Sequence, residues 1–190
     1  MEDKLGLTIR KAYIDDADFL ARRVLDAVGI TEPSAEELSQ VSHLCSLDYT
    51  LFSWRNSMIA EVEGERAGVL VSYPGTEYAA MRHNTFMIVK AESGKDFFGM
   101  DMETEPGEYY IDSLSVVEGF RKRGIGRQLL QLGIDEARRL GIEKVTLACE
   151  PHNEKAFAMY SSFGFVREGD VNLYGDGYWK MALKVQELQK

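Results

Sequence analysis

The chain has 190 residues, 45% hydrophobic and 28% charged, with 22 Lys and Arg against 31 Asp and Glu for a net charge of -9. That length suits one domain whose core buries roughly 70% of the unfolded surface. The acidic balance excludes nucleic acid and anionic membrane as main partners, since both call for a broad basic face. Met1 to Lys4 lack the cationic and apolar runs of a signal peptide, and no apolar stretch of about 20 residues occurs. Cys45 and Cys149 show no CxxC spacing. The expectation is a cytoplasmic protein with two reduced, buried thiols.

In chain order, Leu7 to Ala12 reads as a strand, followed by a helix that Asp15 or Asp16 can cap and that ends at Gly29. Ser34 and Glu37 form a capping-box pattern ahead of a second helix with Leu38, Val41 and Cys45 as its buried stripe. Met58 to Val62 and Ala67 to Tyr73, joined by Glu63-Gly64-Glu65, read as a hairpin that Pro74-Gly75 closes. Thr76 to Gly107 is the least regular stretch and reads as a lid or substrate-side insertion: Ala79 to Val89 has helical character, and Lys95 to Pro106 is acid-rich with little periodicity, the stretch around Asp101, Glu103 and Glu105 reading as a solvated loop. Glu108 to Val117 is the next strand, and Gly126 to Leu140 an amphipathic helix with Leu129, Leu132 and Leu140 on one face. A strand over Lys144 to Cys149, a short helix carrying Ala156, Phe157 and Tyr160, and strands over Phe165 to Val171 and Tyr178 to Val185 complete the chain.

Between the strand Glu108 to Val117 and the helix Gly126 to Leu140 lies Arg121-Lys122-Arg123-Gly124-Ile125-Gly126-Arg127, which places four cations on a glycine-punctured turn opening into a helix. A helix N-terminus leaves about four amides without intrahelical partners and carries roughly half a positive charge. Phosphate is the guest such a cradle suits. Leu129 stands where a dinucleotide fingerprint has its third glycine, and no Gly-Lys-Ser/Thr follows as in a P-loop.

Arg121-x-x-Gly124-x-Gly126 between a strand and a helix, followed by Asn153, Ala156, Tyr160 and Gly164-Phe165 after the next strand, resembles the coenzyme A signature and second core half of the GNAT superfamily of N-acetyltransferases. The resemblance is continuous from about Glu108 to Phe165, and the outer elements are compatible with it. It implies an α/β fold of the GNAT-like acyl-CoA N-acyltransferase type, with a mixed, mostly antiparallel sheet flanked by helices. It also implies one domain over residues 1–190, with an insertion at about 76–107.

Acetyl-CoA is the implied cosubstrate. Pantetheine would pair with Leu114, Ser115 and Val116, the pyrophosphate with the amides and cations of Arg121, Lys122, Arg123, Gly124, Ile125, Gly126 and Arg127, and the cofactor arm with Asn153. Tyr160 would face the sulfur and protonate the departing thiolate. Asn153 as a simple helix cap and Tyr160 as a core aromatic are the structural alternatives.

Direct attack of an amine needs a neutral nucleophile, a polarised carbonyl and a proton for the thiolate. A backbone N–H near Val116 can polarise the carbonyl. Glu108, Tyr110 and Asp112 alternate on one strand face as candidate bases, with Asp112 ranked first. His43, His83 and His152 show no metal-ligand spacing, so no metal is expected. The expected acceptor is a small-molecule or peptide amine, and Asp101, Glu103 and Glu105 hint at a cationic one. Exposed strands near the C-terminus are compatible with a homodimer. The competing readings are a catalytically silent acyl-CoA-binding module and an acyltransferase using another acyl group.

Overall fold

The computed structural model describes residues 6–185. Its strands are β1 (Leu7–Lys11), β2 (Ser57–Val62), β3 (Glu65–Pro74), β4 (Glu108–Val116), β5 (Lys144–Cys149), β6 (Val166–Leu173) and β7 (Asp176–Lys184). The helices are α1 (Ala17–Ala27), α2 (Ala35–Ser46), α3 (Gly75–Ser93), α4 (Ile125–Arg139) and α5 (Glu154–Ser162). All seven strands belong to one mixed sheet in the order β1-β2-β3-β4-β5-β7-β6. By internal contacts the chain forms two compact units, the first comprising the residues through Ser72 with Ser113–Leu132, the second Tyr73–Asp112 with the residues from Gly133 onward.

In the first unit β1 pairs antiparallel with β2, from Leu7 opposite Val62 to Lys11 opposite Met58. The β2–β3 hairpin turns on two residues, Glu63 and Gly64, both at positive φ (52° and 84°), the twist a tight hairpin requires. Asp16 precedes α1 but does not cap it. Its buried carboxylate instead accepts hydrogen bonds from Arg10 (2.7 Å), the Tyr13 backbone N–H (2.9 Å) and Arg66 (3.3 Å). The Ser34–Glu37 capping box of α2 forms as the sequence indicates, with the Glu37 N–H donating to Ser34 Oγ at 3.2 Å and the Ser34 N–H to Glu37 Oε2 at 2.9 Å. Leu20, Ala21, Val24 and Leu25 of α1 are buried, as are Leu44 and Cys45 of α2 and alternating or continuous apolar residues of β2 and β3.

In the second unit β4 runs parallel to β5, with register pairs from Glu108 opposite Lys144 to Ile111 opposite Leu147. The ladder ends there, while β4 itself continues to Val116. β5 is antiparallel to β7 over its whole length, ending with Cys149 opposite Trp179, and β6 and β7 form a hairpin turning at Tyr174 and Gly175.

Three expectations differ from the structure. The helix expected over Ala79 to Val89 extends across Gly75–Ser93, because Tyr78, Met81, Arg82, Phe86 and Val89 supply a longer buried stripe than the central apolar run suggests. The stretch from Lys95 to Pro106 is anchored at particular residues, although more than half of it is exposed. Phe97 and Phe98 pack their rings within 6 Å of Phe86 and Phe97 meets Tyr174 edge-on, while the Asp101 carboxylate accepts from the Asn172 backbone N–H at 2.8 Å and Glu103 is buried. On α4, Leu129, Leu130, Ile134 and Ala137 are buried, whereas Leu140 lies past the helix end and is exposed.

Candidate active site

The basic turn belongs to the first unit. A short 3-10 turn over Glu118–Phe120 follows β4, and the chain then reaches α4 through Lys122 (φ 64°) and Gly124 (φ 83°). Two left-handed residues within three positions fold the backbone sharply, and a β-carbon at Gly124 would meet no atom within 4 Å. Its glycine is therefore required by conformation and not by crowding. Arg121 donates from Nε to the Val116 carbonyl at 3.0 Å and Arg123 from its guanidinium to the Gly119 carbonyl at 3.2 Å, so both side chains brace the turn they charge. Arg121, Lys122, Arg123 and Arg127 are exposed. The first helical bond of α4 runs from the Gln128 N–H to the Gly124 carbonyl, which leaves the Ile125 and Gly126 amides ahead of the intrahelical ladder. Such amides beside four cations, in a chain of net charge -9, fit a phosphate or diphosphate. Leu114, Ser115 and Val116 lie upstream on β4, beyond the last residue of that strand paired with β5.

The remaining predicted residues belong to the second unit. Tyr160 on α5 is half-buried, its ring centroid 6.0 Å from that of Phe165. Burial, and then the neighbouring Cys149, push its phenol well above its ordinary range, so it holds its proton at neutral pH. Cys149 is itself buried, and burial followed by Glu150 pushes its thiol up to about 11. Asn153 caps α5: its Oδ1 accepts from the Ala156 N–H at 3.1 Å. That is the structural alternative considered for this residue.

The three candidates on β4 differ sharply. Glu108, one of the candidate bases, is 2% exposed. Its carboxylate is held by Lys180 (2.9 Å), Lys144 (3.0 Å), Thr104 (3.0 Å) and Thr146 (3.2 Å). Burial pushes this carboxyl up, but the Lys180 and Lys144 ammonium groups outweigh it and hold the pKa below its usual value. Tyr110 is buried and donates to Glu103 Oε2 at 2.7 Å. Asp112 is half-buried and accepts from the Tyr73 hydroxyl at 2.5 Å.

Sequence reasoning did not find the companions of Asp112. Tyr73, Tyr78 and Tyr110 pack mutually, with centroids 5.9 to 6.4 Å apart, around Glu103, which accepts from both Tyr110 and Tyr78. The available signal was the alternation of Tyr110 and Asp112 on β4. Nothing local connects it to Tyr73 or Glu103.

A family model, "Acetyltransferase (GNAT) family", matches residues 30–165, which include the basic turn, β4, β5 and α5. Among curated relatives, the chain is 40% identical over 58 residues to N-alpha-acetyltransferase MAK3 of Arabidopsis thaliana, covering 30% of each chain. It is 41% identical over 66 residues to N-alpha-acetyltransferase RimI of Mycobacterium tuberculosis, covering 35% of this chain and 40% of that one. The matched stretches thus span well under half of these relatives.

Solved structures match over far more of the chain. A crystal structure described as that of an acetyltransferase aligns with a TM-score of 0.76 at 27% identity, over 94% of this chain and 100% of its own. An N-acetyltransferase from Staphylococcus aureus Mu50 aligns with a TM-score of 0.74 at 24% identity, over 93% and 100%. The fold agrees with these matches and the family model spans most of the chain, which belongs to the GNAT acetyltransferase family.

Proposed function

We propose that this chain, as a single domain over residues 1–190, transfers an acetyl group from acetyl-CoA to a primary amine by direct attack. The observation that carries the reading is the basic turn. Four exposed cations surround a left-handed backbone reversal that feeds the α4 N-terminus, and a coenzyme A diphosphate suits it. Arg121, Lys122, Arg123 and Arg127 would hold the phosphates together with the amides near Gly124, Ile125 and Gly126. Leu114, Ser115 and Val116 would offer backbone groups to the pantetheine arm, a role supported by the end of the β5 ladder at Ile111. Asn153, with its oxygen engaged in capping α5, would have its amide N–H groups to offer.

Acetyl-CoA supplies the thioester. Tyr160 holds a proton at Oη for the leaving sulfur, and its raised pKa keeps it in the donating form across neutral pH. Cys149, protonated up to about pH 11, remains a thiol beside it and does not compete as a nucleophile. Asp112 is the carboxylate assigned to the acceptor amine, which would be a small molecule or a peptide. The segment 76–107 would shape that acceptor side. The rival is a silent acyl-CoA-binding module, which would share the turn but have no use for a protonated tyrosine.

Cofactor binding is tested first. Coenzyme A at 100 times its dissociation constant is expected to stabilise the fold by about 2.7 kcal/mol, read as a rise of several degrees in melting temperature. No shift with coenzyme A or acetyl-CoA overturns the reading. Thiol release from acetyl-CoA across a panel of amines then separates enzyme from silent binder.

A further inference from the structure

Acetyl transfer to an amine that arrives protonated requires a place for the amine's proton, and Asp112 is poorly suited to be that place. A carboxylate that accepts a hydrogen bond from a phenol is stabilised in its charged form and becomes a weaker base. Tyr73, 2% exposed, donates to Asp112, and burial followed by the Asp112 and Glu103 charges pushes the Tyr73 phenol far up, so this donor does not titrate away. Asp112, engaged by a donor that keeps its proton, is fit to hold an ammonium group.

Within the same unit a second carboxyl has the opposite character. Glu103 is 8% exposed, and burial is the largest influence on its carboxyl, raising its pKa despite hydrogen bonds from Tyr110 and Tyr78 and the charge of Arg82. The groups facing it are Tyr78 and Arg82 from α3, Tyr110 and Asp112 from β4, Tyr73 from β3, and Tyr174 and Tyr178 from the β6–β7 hairpin. The phenols among these hold their protons, and burial makes the Glu103 carboxyl a better proton acceptor than an exposed glutamate. Tyr110 joins the two carboxyls. It stands two residues from Asp112 on the same strand face, donates to Glu103 Oε2 at 2.7 Å, and its oxygen accepts no hydrogen bond from the described residues.

We propose that Glu103 receives the acceptor amine's proton through Tyr110, while Asp112, held by Tyr73, anchors the ammonium group. This rests on the acetyl-transfer reading above. In the step the amine N–H bond breaks toward Tyr110 Oη as the Tyr110 O–H bond breaks toward Glu103 Oε2. The amine is left neutral with its lone pair, Tyr110 is unchanged, and Glu103 is protonated. The acceptor is accordingly an aliphatic amine that arrives as a cation. Glu103 is a positioning residue by this account, because it acts through another side chain.

The test is the pH dependence of kcat/KM in wild type, Glu103→Gln and Tyr110→Phe, using an aliphatic amine turned over by wild type. At neutral pH each variant should lose about 10²- to 10⁴-fold, the range of a positioned acid or base. The loss should shrink to under about tenfold as the pH passes the pKa of the amine, because an amine that arrives neutral has no proton to give up before it attacks. Glu103→Asp should recover part of the neutral-pH activity. A loss that stays constant across pH, or no loss, overturns the proposal while leaving acetyl transfer intact. Failure of wild type to acetylate any amine overturns both.

A carboxyl-carbon NMR titration of wild type, assigned by through-bond connectivity to the backbone, needs no turnover and covers the case of a variant that does not fold. Glu103 should titrate above about 4.3, the value of an unperturbed glutamate. Titration below that value overturns the proposal.

Discussion

Tyr160 carries the sharpest chemical assignment on a single side chain. Its phenol is kept protonated by burial, and no other hydroxyl in the described part of α5 and β5 combines half-burial with a neighbouring thiol. Tyr160→Phe keeps the ring that packs near Phe165, so coenzyme A affinity should be nearly unchanged while turnover falls by about 10²- to 10⁴-fold. Parallel measurement of turnover and binding in that variant decides the matter: equal losses would make Tyr160 structural. The spacing from Asn153 through Tyr160 to Gly164 was legible in the sequence because a short helix fixes it. The tyrosine cluster around Glu103 was not, because Tyr73, Tyr78, Glu103 and Tyr110 come from four separate segments.

At the scale of elements, the basic turn depends on backbone conformation as much as on charge. Gly124 sits at φ 83° with open space where a β-carbon would go, so Gly124→Ala should fold with a penalty of about 1–2 kcal/mol from the left-handed conformation alone. Relief of that strain would shift the Lys122–Gly126 backbone, and coenzyme A affinity should fall by more than thermal stability does. Calorimetric titration beside a thermal melt checks this, and unchanged affinity would detach Gly124 from ligand binding.

Elements marked by a local signal were read correctly: the capping box at Ser34, the tight hairpin near Gly64, the glycine turn before α4. α3 was read too short and the segment after it as solvated. Their order comes from long-range contacts, such as Asp101 with Asn172 and Phe97 with Tyr174, which no local pattern announces.

Over the whole molecule, acid charge is managed unevenly, and pH exposes it. Glu108 is buried between Lys144 and Lys180, and its pKa in the fold lies below the unfolded value despite burial. Its contribution to stability is therefore fully present above the unfolded pKa of about 4.3 and is lost as pH falls through the lower folded value. Wild type should melt above Glu108→Gln at pH 7, and the gap should close as the pH is lowered through and below about 4. A gap that persists at low pH would place the Glu108 contribution in packing and not in charge.

The family match and the sheet order bear out the fold expected from the sequence, while the acceptor and the partition of roles among residues remain proposals built on named contacts. No helix among the described residues is long and apolar enough to cross a membrane.

The proposed reaction moves acetyl from a bound coenzyme A thioester to an amine. It is tested most directly by following free thiol from acetyl-CoA with and without aliphatic amines, comparing wild type with Tyr160→Phe and identifying the product by mass. The account predicts amine-dependent thiol release with one acetyl-amide formed per thiol, and a large loss of that rate in Tyr160→Phe. Tight coenzyme A binding with no amine-dependent release from wild type would contradict it and leave a silent binding module in its place.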